Sequence, residues 1–274
     1  MKRLTCLGLI FSISACGASG RPNGDGSTSS DLSHGDGDVA LITDGGGGNV
    51  SPDVIYAHSS STLYTMDPTT LAVTIVAPFQ WPPSGVDQMT DVAVNKDGKL
   101  VGVSFFAVYA IEPSTAKCQM LSTFNGAGTN GLSFIPLDNG DEVLVASSQA
   151  GALFRIDPTT GTSTSVGSYG SGISSSGDLV SVTGLGTFAT VRTSQSSTDW
   201  IAKIDPTTGA ATLVGDTMTS AIWGLGFWKD KLYGFSSGGQ VMEISPTTGA
   251  TTMLASQSVG WYGAGVKTSA PVIQ

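Results

Sequence analysis

The sequence predicts an all-β fold in which five four-stranded antiparallel sheets form a closed ring. Three observations lead to this fold. The first is composition, because the 274 residues include 37 Gly, only 12% are charged, and no segment keeps a helical spacing of apolar residues. The second is a turn motif that occurs five times, and the third is the distance between its copies. Together they indicate a repeat array in which each unit contributes one sheet.

The repeated motif is an apolar strand that runs into Asp-Pro-Thr-Thr or a close variant. Its copies have Asp67, Glu112, Asp157, Asp205 and Ser245 before the proline, at spacings of 45, 45, 48 and 40 residues. That is the period of a four-stranded propeller blade. Proline fixes φ at about −65° at the first corner, while the residue before it and the Thr pair after it bond local backbone amides. The motif is therefore a turn and not a catalytic element.

The arrangement of strands within the repeats predicts how the ring closes. The expected inner strands are Val92-Ala93-Val94, Leu132-Ser133-Phe134, Val180-Ser181-Val182, Leu225-Gly226-Phe227 and Ala264-Gly265-Val266. The first repeat begins directly with its second strand, Val54-Ile55-Tyr56-Ala57, so residues 261–267 are expected to supply its inner strand. The prediction is a five-bladed β-propeller whose C-terminal strand joins the first blade, leaving no open sheet edge in the ring.

The amino terminus predicts a targeting segment, with residues 1–15 as a lipoprotein signal peptide. Lys2 and Arg3 precede an apolar run, residues 4–13, that is too short to span a bilayer. The run ends in Ile13-Ser14-Ala15-Cys16, which resembles the bacterial lipobox. The resemblance implies that Cys16 carries lipid and holds the protein to membrane lipid in the cell envelope. Gly17 after the cysteine favours the outer membrane. An ordinary secretory signal with an incidental cysteine is the alternative.

The remaining boundaries follow from composition. Residues 16–51 are rich in Gly, Ser and Asp and poor in aromatic residues, so we expect a flexible tether and not a calcium loop. Residues 52–268 form the propeller, and residues 269–274 form a C-terminal tail. Because Cys6 lies in the signal segment and Cys16 is the lipid site, Cys118 is the one cysteine left for the propeller. We expect it to be a small packed residue.

Aromatic residues gather in the loops that lead into the inner strands, which share one face of a propeller. The expected channel mouth consists of Thr90, Asn130, Asp178, Trp223 and Tyr262. The candidate ligand-binding residues are Trp81, Asn130, Asp178, Trp223, Trp261 and Tyr262. Aromatic rings mixed with amide and carboxylate groups suit a glycan, a peptide or a cell-envelope protein. The alternative is that these rings pack between the blades.

The sequence predicts no catalytic, metal-binding or cofactor-binding residue. His34 and His58 are the two histidines, which is too few for a histidine triad or cluster, and His58 is expected to be structural. Asp91 and Asp178 leave one alternative, an enzyme acting on a carbohydrate or lactone with paired carboxylates. In the expected alignment, Asp91 corresponds to Leu179 and to three glycines of the other blades. The net charge of −9 argues against nucleic acid as a partner.

The repeat region, residues 51–267, resembles bacterial extracytoplasmic propellers whose blades carry Leu-Tyr-x-Ile-Asp-Pro-x-Thr-Gly. The matching residues include Ile204-Asp205-Pro206-Thr207-Thr208-Gly209. The repeats are also similar to quinoprotein-type repeats, but the tryptophan typical of that family is absent, so no quinone cofactor is expected. The first resemblance implies a fold and not one function. The sequence therefore predicts a lipid-anchored extracytoplasmic binding or scaffold protein.

Overall fold

The computed structural model describes residues 54–83, 85–123 and 128–273, and all of its strands belong to five four-stranded antiparallel sheets. The predicted signal segment, Cys16 and the whole predicted tether lie outside these residues. No helix in the described ranges has the length and apolar character that a membrane span requires.

The strands follow one another around the ring, four to a blade. Blade one contains β20 (Gly263–Gly265), β1 (Ile55–His58), β2 (Thr62–Met66) and β3 (Val73–Pro78). Blade two contains β4 (Asp91–Val94), β5 (Leu100–Val103), β6 (Ala107–Ile111) and β7 (Cys118–Thr123). Blade three contains β8 (Thr129–Pro136), β9 (Glu142–Ser148), β10 (Ala152–Ile156) and β11 (Ser163–Ser168). Blade four contains β12 (Ile173–Val182), β13 (Gly186–Thr193), β14 (Trp200–Ile204) and β15 (Ala211–Asp216). Blade five contains β16 (Ile222–Trp228), β17 (Lys231–Ser236), β18 (Gln240–Ile244) and β19 (Thr251–Ser256).

The C-terminal strand closes the ring as predicted. β20 pairs with β1 in antiparallel register, with Tyr56 opposite Gly265 and His58 opposite Gly263. Each inner strand contacts the inner strands of the two neighbouring blades, so the five of them form a continuous wall. The fold is therefore an all-β, five-bladed propeller. Because each blade has four antiparallel strands, the chain leaves every blade on the face where it entered. The starts of the inner strands therefore lie on one face, called here the upper face, and their ends lie on the lower face.

The predicted alignment of the fourth inner strand is wrong by one residue. Leu179 pairs with Ala189 as Leu132 pairs with Ala146, so Leu179 corresponds to Leu132 and Val180 takes the position expected for Ser181. The reason is a break in regular pairing between Ser175 and Leu179, which the spacing of apolar residues does not reveal. As a consequence, Asp178 and not Leu179 occupies the position equivalent to Asp91.

A β-bulge recurs at the same place in all five outer strands. The pairing of the third and outer strands shifts register after Leu63, Val108, Leu153, Ile201 and Val241. One extra residue is inserted in each outer strand, and in every blade it is a partly buried apolar residue packed on a core cluster: Val76, Leu121, Val166, Val214 and Leu254. The bulges therefore add core contacts and interrupt edges that would otherwise be open to pairing with another chain.

The Pro-Thr turns also join neighbouring blades. In the fourth blade the carboxylate of Asp205 accepts hydrogen bonds from the N–H groups of Thr207 at 2.8 Å and Thr208 at 3.4 Å, and these amides lower its pKa. Gly209 then adopts φ +78°, which disfavours any residue with a side chain, and a Cβ there would lie 2.7 Å from Ser168 N and 3.0 Å from Gly167 C of blade three. The motif repeats because it both turns the chain and fits the preceding blade.

A C-terminal strap, residues 267–273, crosses the lower face after β20. Lys267 bridges to Val94 of blade two, and Thr268 donates a hydrogen bond to Glu142 of blade three. The carbonyl of Thr268 accepts from Thr183 N–H of blade four at 3.0 Å. The carbonyl of Pro271 accepts from the N–H of Lys229 in blade five at 2.8 Å. The strap therefore covers the lower end of the channel.

Candidate functional site

The upper end of the channel is surrounded by five residues in register, one from each blade. They are Thr90, Asn130, Gly177, Trp223 and Tyr262, each of which directly precedes the layer that contains Asp91. We call this set the mouth. The expected mouth contained Asp178 in place of Gly177, and this is a consequence of the misaligned fourth strand. Gly177 is required here because a Cβ would come within 2.6 Å of Trp223 Cα.

Two aromatic residues form one side of the mouth. The rings of Trp223 and Tyr262 meet edge to face, with centroids 5.3 Å apart and planes at 75°. Both side chains are partly exposed, and the N–H of Tyr262 is fixed by a 2.8 Å hydrogen bond to the carbonyl of His58. The two perpendicular rings therefore offer a preformed aromatic corner to a ligand.

The other side of the mouth is polar. Asn130 and Ser176 come from the neighbouring inner strands β8 and β12. Asn130 Oδ1 and Ser176 Oγ are both withdrawn from solvent and have no hydrogen-bond partner. Since an unpaired buried polar group costs about 1–3 kcal/mol, these two atoms are the kind that a ligand or a water molecule satisfies.

Two carboxyl groups fill the channel one residue below the mouth. Asp91 and Asp178 occupy equivalent positions in blades two and four, where the other three blades have Gly131, Gly224 and Gly263. Both are fully buried. A Cβ on Gly263 would overlap Asp91 Oδ1. A Cβ on Gly131 would meet Ser147 Oγ and the carbonyl of Gly177, and one on Gly224 would meet the backbone of Gly263 and Ala264.

Backbone amides from all five blades converge on this carboxyl pair. Asp91 accepts from Val92 N–H at 2.8 Å and from Leu132 N–H at 2.6 Å. Asp178 accepts from Leu179 and Leu225 N–H, each at 2.5 Å, and from Ala264 N–H at 3.2 Å. The pair therefore links blade two to blade three, and blade four to blades five and one.

The two carboxyls also hydrogen-bond each other, and burial raises the pKa of both. Burial, followed by the negative charge of Asp178, raises the pKa of Asp91 well above its ordinary value. Burial raises the pKa of Asp178 to about 7, although the hydrogen bonds from Asp91 and the backbone amides oppose this rise. Two like charges in contact in a buried site do not both ionise near neutral pH.

His58 lies beside the pair and is neutral. Burial lowers its pKa to about 4, and its Nδ1 lies 2.8 Å from the carbonyl of Ser59. Because a carbonyl only accepts, Nδ1 carries the proton and Nε2 is an unprotonated acceptor. Nε2 has no partner within hydrogen-bond distance and lies 4.0 Å from Asp91 Oδ1. The expectation of a structural histidine leaves this unsatisfied acceptor unexplained.

The structure places the other candidate residues away from the mouth. Trp261 is fully buried, and its ring packs edge to face on Tyr64 and Phe235 at 5.4 and 5.7 Å. For Trp261, packing between blades is therefore the interpretation that fits. Trp81 is partly buried between Phe79 and Tyr109, at 5.6 and 5.3 Å, and belongs to the contact of blades one and two.

Basic residues are distributed unevenly between the two faces. In the described ranges Arg192 is the one basic residue at the upper face, and its Nε lies 2.9 Å from Asp199 Oδ1. The others lie in the lower hairpins, beside the Pro-Thr turns or in the strap: Lys96, Lys99, Lys117, Arg155, Lys203, Lys229, Lys231 and Lys267. Hence no free cation stands at the mouth within these ranges.

A concavity lies on the lower side. A cleft of about 790 Å³ opens between blades three and four, with Lys203, Asp205 and the backbone around Gly184 in its wall. No aromatic side chain contributes to its lining. Among the described residues, no group of three or more His, Cys, Asp or Glu side chains is arranged to hold a metal ion.

Comparison with known proteins supports the fold and assigns no family. No protein-family model matches this chain, and no curated protein matches it. A chain in the crystal structure of a nidogen/laminin complex aligns with a TM-score of 0.52 at 6% identity, over 77% of this chain and 97% of that chain. A Bacteroides caccae protein of unknown function aligns with a TM-score of 0.43 at 10% identity, over 75% and 72% of the two chains. An auxiliary nutrient binding protein from Bacteroides thetaiotaomicron gives 0.45 at 14%, over 74% and 54%.

Proposed function

We propose that this chain is a lipid-anchored binding protein of the cell envelope that recognises the exposed end of a glycan, peptide or protein partner at the mouth. The observation that carries the proposal is the pairing of a partly exposed aromatic corner, Trp223 and Tyr262, with the unpartnered Asn130 Oδ1. Stacking on one side and hydrogen bonding on the other is the usual arrangement of small-ligand sites.

The rest of the ring suits this role. The strap covers the lower end of the channel and the carboxyl pair fills it below the mouth, so a ligand reaches a shallow blind site from above. Around the upper face, Val86, Phe106 and Met218 are 89%, 70% and 79% exposed. These side chains give a larger partner apolar contact surface beyond the mouth.

The anchor and location are part of the proposal and rest on the amino-terminal sequence. The lipobox-like Ile13-Ser14-Ala15-Cys16 favours attachment to membrane lipid, with the outer membrane as the preferred site. A tether of some 35 residues spans roughly 30–35 Å on average, which lets the propeller reach partners above the lipid surface.

An enzyme acting on a carbohydrate or lactone is less well supported by the geometry. Catalytic carboxylates of glycoside hydrolases stand about 5 Å or more apart, on either side of the substrate bond. Asp91 and Asp178 instead hydrogen-bond each other, are fully buried and accept five backbone N–H groups. They are placed to hold the ring together, with no room for a substrate between them.

A glycan and peptide array with the purified full chain tests the proposal. A ligand found in this way should lose binding to Trp223→Ala and Tyr262→Ala while both variants keep the melting temperature of the wild type, because partly exposed rings contribute little to the core. Trp261→Ala is the matched control, since truncating a buried aromatic costs about 3–5 kcal/mol and should lower the melting temperature. Unchanged ligand affinity in both mouth variants contradicts the proposal.

A further inference from the structure

The groups at and below the mouth have one chemical property in common, which is that they attract positive charge. Trp223 and Tyr262 are partly exposed rings that meet edge to face, and the face of an aromatic ring carries negative potential. Asn130 Oδ1 and His58 Nε2 are unpartnered acceptors, and His58 is fully buried. The carboxyl pair lies one residue deeper in the channel, at a strand rise of about 3.3 Å per residue.

Nothing at the upper face offsets this property within the described ranges. Arg192 is held by Asp199, and every other basic residue that the structure describes lies in the lower half of the ring. A low-dielectric channel lined by one sign of charge focuses its field at the opening. An anionic ligand would find no counter-charge at the mouth and would be repelled by the pair beneath it.

We propose that the mouth binds a positively charged nitrogen of its ligand, either a quaternary ammonium or a protonated amine. This nitrogen sits in the Trp223–Tyr262 corner above the carboxyl pair. This inference rests on the proposed function and narrows its ligand class. The perpendicular rings form two walls around the cation, while Asn130 Oδ1 accepts from an N–H or O–H of the same ligand. His58 Nε2 and the carboxyl pair supply the acceptor floor.

Matched ligand pairs test the role of charge. Ligand-observed NMR titrations of the full chain, in a detergent without ammonium groups, compare choline with 3,3-dimethylbutan-1-ol, which has the same shape without the charge. A second pair, glucosamine and N-acetylglucosamine at neutral pH, separates a protonated amine from a neutral sugar and distinguishes the two ammonium classes. We expect the charged member of at least one pair to bind about tenfold tighter or more.

One variant and its control assign the preference to the mouth. Trp223→Leu keeps an apolar side chain but removes the ring, and should abolish the preference for the charged ligand. Met253→Leu, an exposed residue of the outer strand β19 outside the mouth, is the control and should bind as the wild type does.

The outcomes separate this inference from the proposed function. If the charged and neutral members bind the wild type equally, and both lose affinity for Trp223→Leu, the cation preference is overturned but the mouth remains a binding site. Array binding of neutral glycans that depends on Trp223, without any affinity for the charged probes, has the same meaning. A charge preference that survives in Trp223→Leu overturns the placement in the aromatic corner. Absence of all binding in both the array and the titrations overturns both.

Discussion

Replacing Asp178 with alanine removes the acceptor of three backbone N–H groups that belong to three different blades. These are the amides of Leu179, Leu225 and Ala264, at 2.5, 2.5 and 3.2 Å. Each buried N–H left without a partner costs about 1–3 kcal/mol, so the sum is roughly 3–9 kcal/mol before relaxation. Two effects reduce this figure: the desolvation cost of the buried carboxyl is removed, and water can enter the new space and bond the freed amides. We expect a net loss of about 3–5 kcal/mol, a large share of the roughly 5–15 kcal/mol of a typical domain.

Asp178→Asn separates charge from hydrogen bonding. Its one oxygen still serves Leu225 and Ala264, but its NH₂ group faces the N–H of Leu179, so the expected loss is about 1–3 kcal/mol. In the wild type, burial raises the folded-state pKa of Asp178 to about 7, above the roughly 3.9 of an unfolded aspartate. The folded state therefore binds the proton more tightly, and wild-type stability falls as pH rises from about 4 to about 7.

Asparagine does not ionise, so the stability deficit of Asp178→Asn should shrink across this pH window. At about 1.4 kcal/mol per pKa unit, the change is a few kcal/mol at most. His58 has the opposite slope, because its pKa of about 4 lies below its unfolded value and stability from this residue rises up to about pH 6.5. Its contribution is present in both proteins and largely cancels in the difference.

Urea unfolding followed by circular dichroism at about pH 5 and pH 8 measures these quantities. Asp138→Asn is the control, because Asp138 is an exposed aspartate of a lower hairpin and should change stability by less than about 0.5 kcal/mol. An Asp178→Ala variant that unfolds at the wild-type urea concentration refutes the role of the pair in joining blades. A deficit of Asp178→Asn that is equal at both pH values refutes the charge argument alone.

Three further predictions concern the turn motif, the closure and the anchor. Gly209→Ala, at φ +78° with a new Cβ 2.7 Å from Ser168 N, should lower the free energy of unfolding in urea by about 2–4 kcal/mol. The control Gly184→Ala, at φ +82° with no atom within 4 Å of the new Cβ, should lower it by about 1 kcal/mol. Equal losses would exclude the contact between blades as the cause. Truncation after Val266 removes the strap and should leave a ring that is less stable by about 2–4 kcal/mol in thermal unfolding. Deletion from Gly260 removes β20 as well and should prevent folding. If this shorter chain melts at the wild-type temperature, the closure of the ring by β20 is contradicted. Mass spectrometry should find acyl chains on Cys16 and a Cys16→Ser protein free of membrane, and unmodified Cys16 in the wild type would disprove the anchor.

The repeats predicted the fold because five turns at a blade-length spacing leave few alternatives. The turn chemistry, the missing inner strand of the first blade and the C-terminal replacement are all local features that can be read from sequence. The bulges were not predicted, because one extra residue in an outer strand leaves no mark on the apolar pattern. Nor was the strap, whose bonds to Thr183 and Lys229 join residues far apart in the chain.

The site was harder to predict because burial depends on the alignment of strands between blades. A one-residue error in blade four moved Asp178 from the layer of Asp91 into the mouth, and it hid the contact between the two carboxyls. Trp261 and Tyr262 are adjacent, and sequence alone could not tell which ring faces the neighbouring blade. The strand register settles both points. Gly263, at the position equivalent to Asp91, is the sequence signal that a bulky group fills this layer, because a Cβ there would overlap Asp91 Oδ1.

The tryptophan indoles provide the most direct test of the mouth as the recognition site. The chain has five tryptophans: Trp223 at the mouth, Trp228 at the lower end of β16, Trp261 in the core, and Trp81 and Trp200 elsewhere in the ring. Nitrogen-15 NMR of the indole groups, recorded while a ligand from the array is added, reports on each position separately. If the mouth is the recognition site, the Trp223 signal shifts most and the Trp228 signal stays in place. A ligand that shifts Trp228 and leaves Trp223 unchanged would contradict the account.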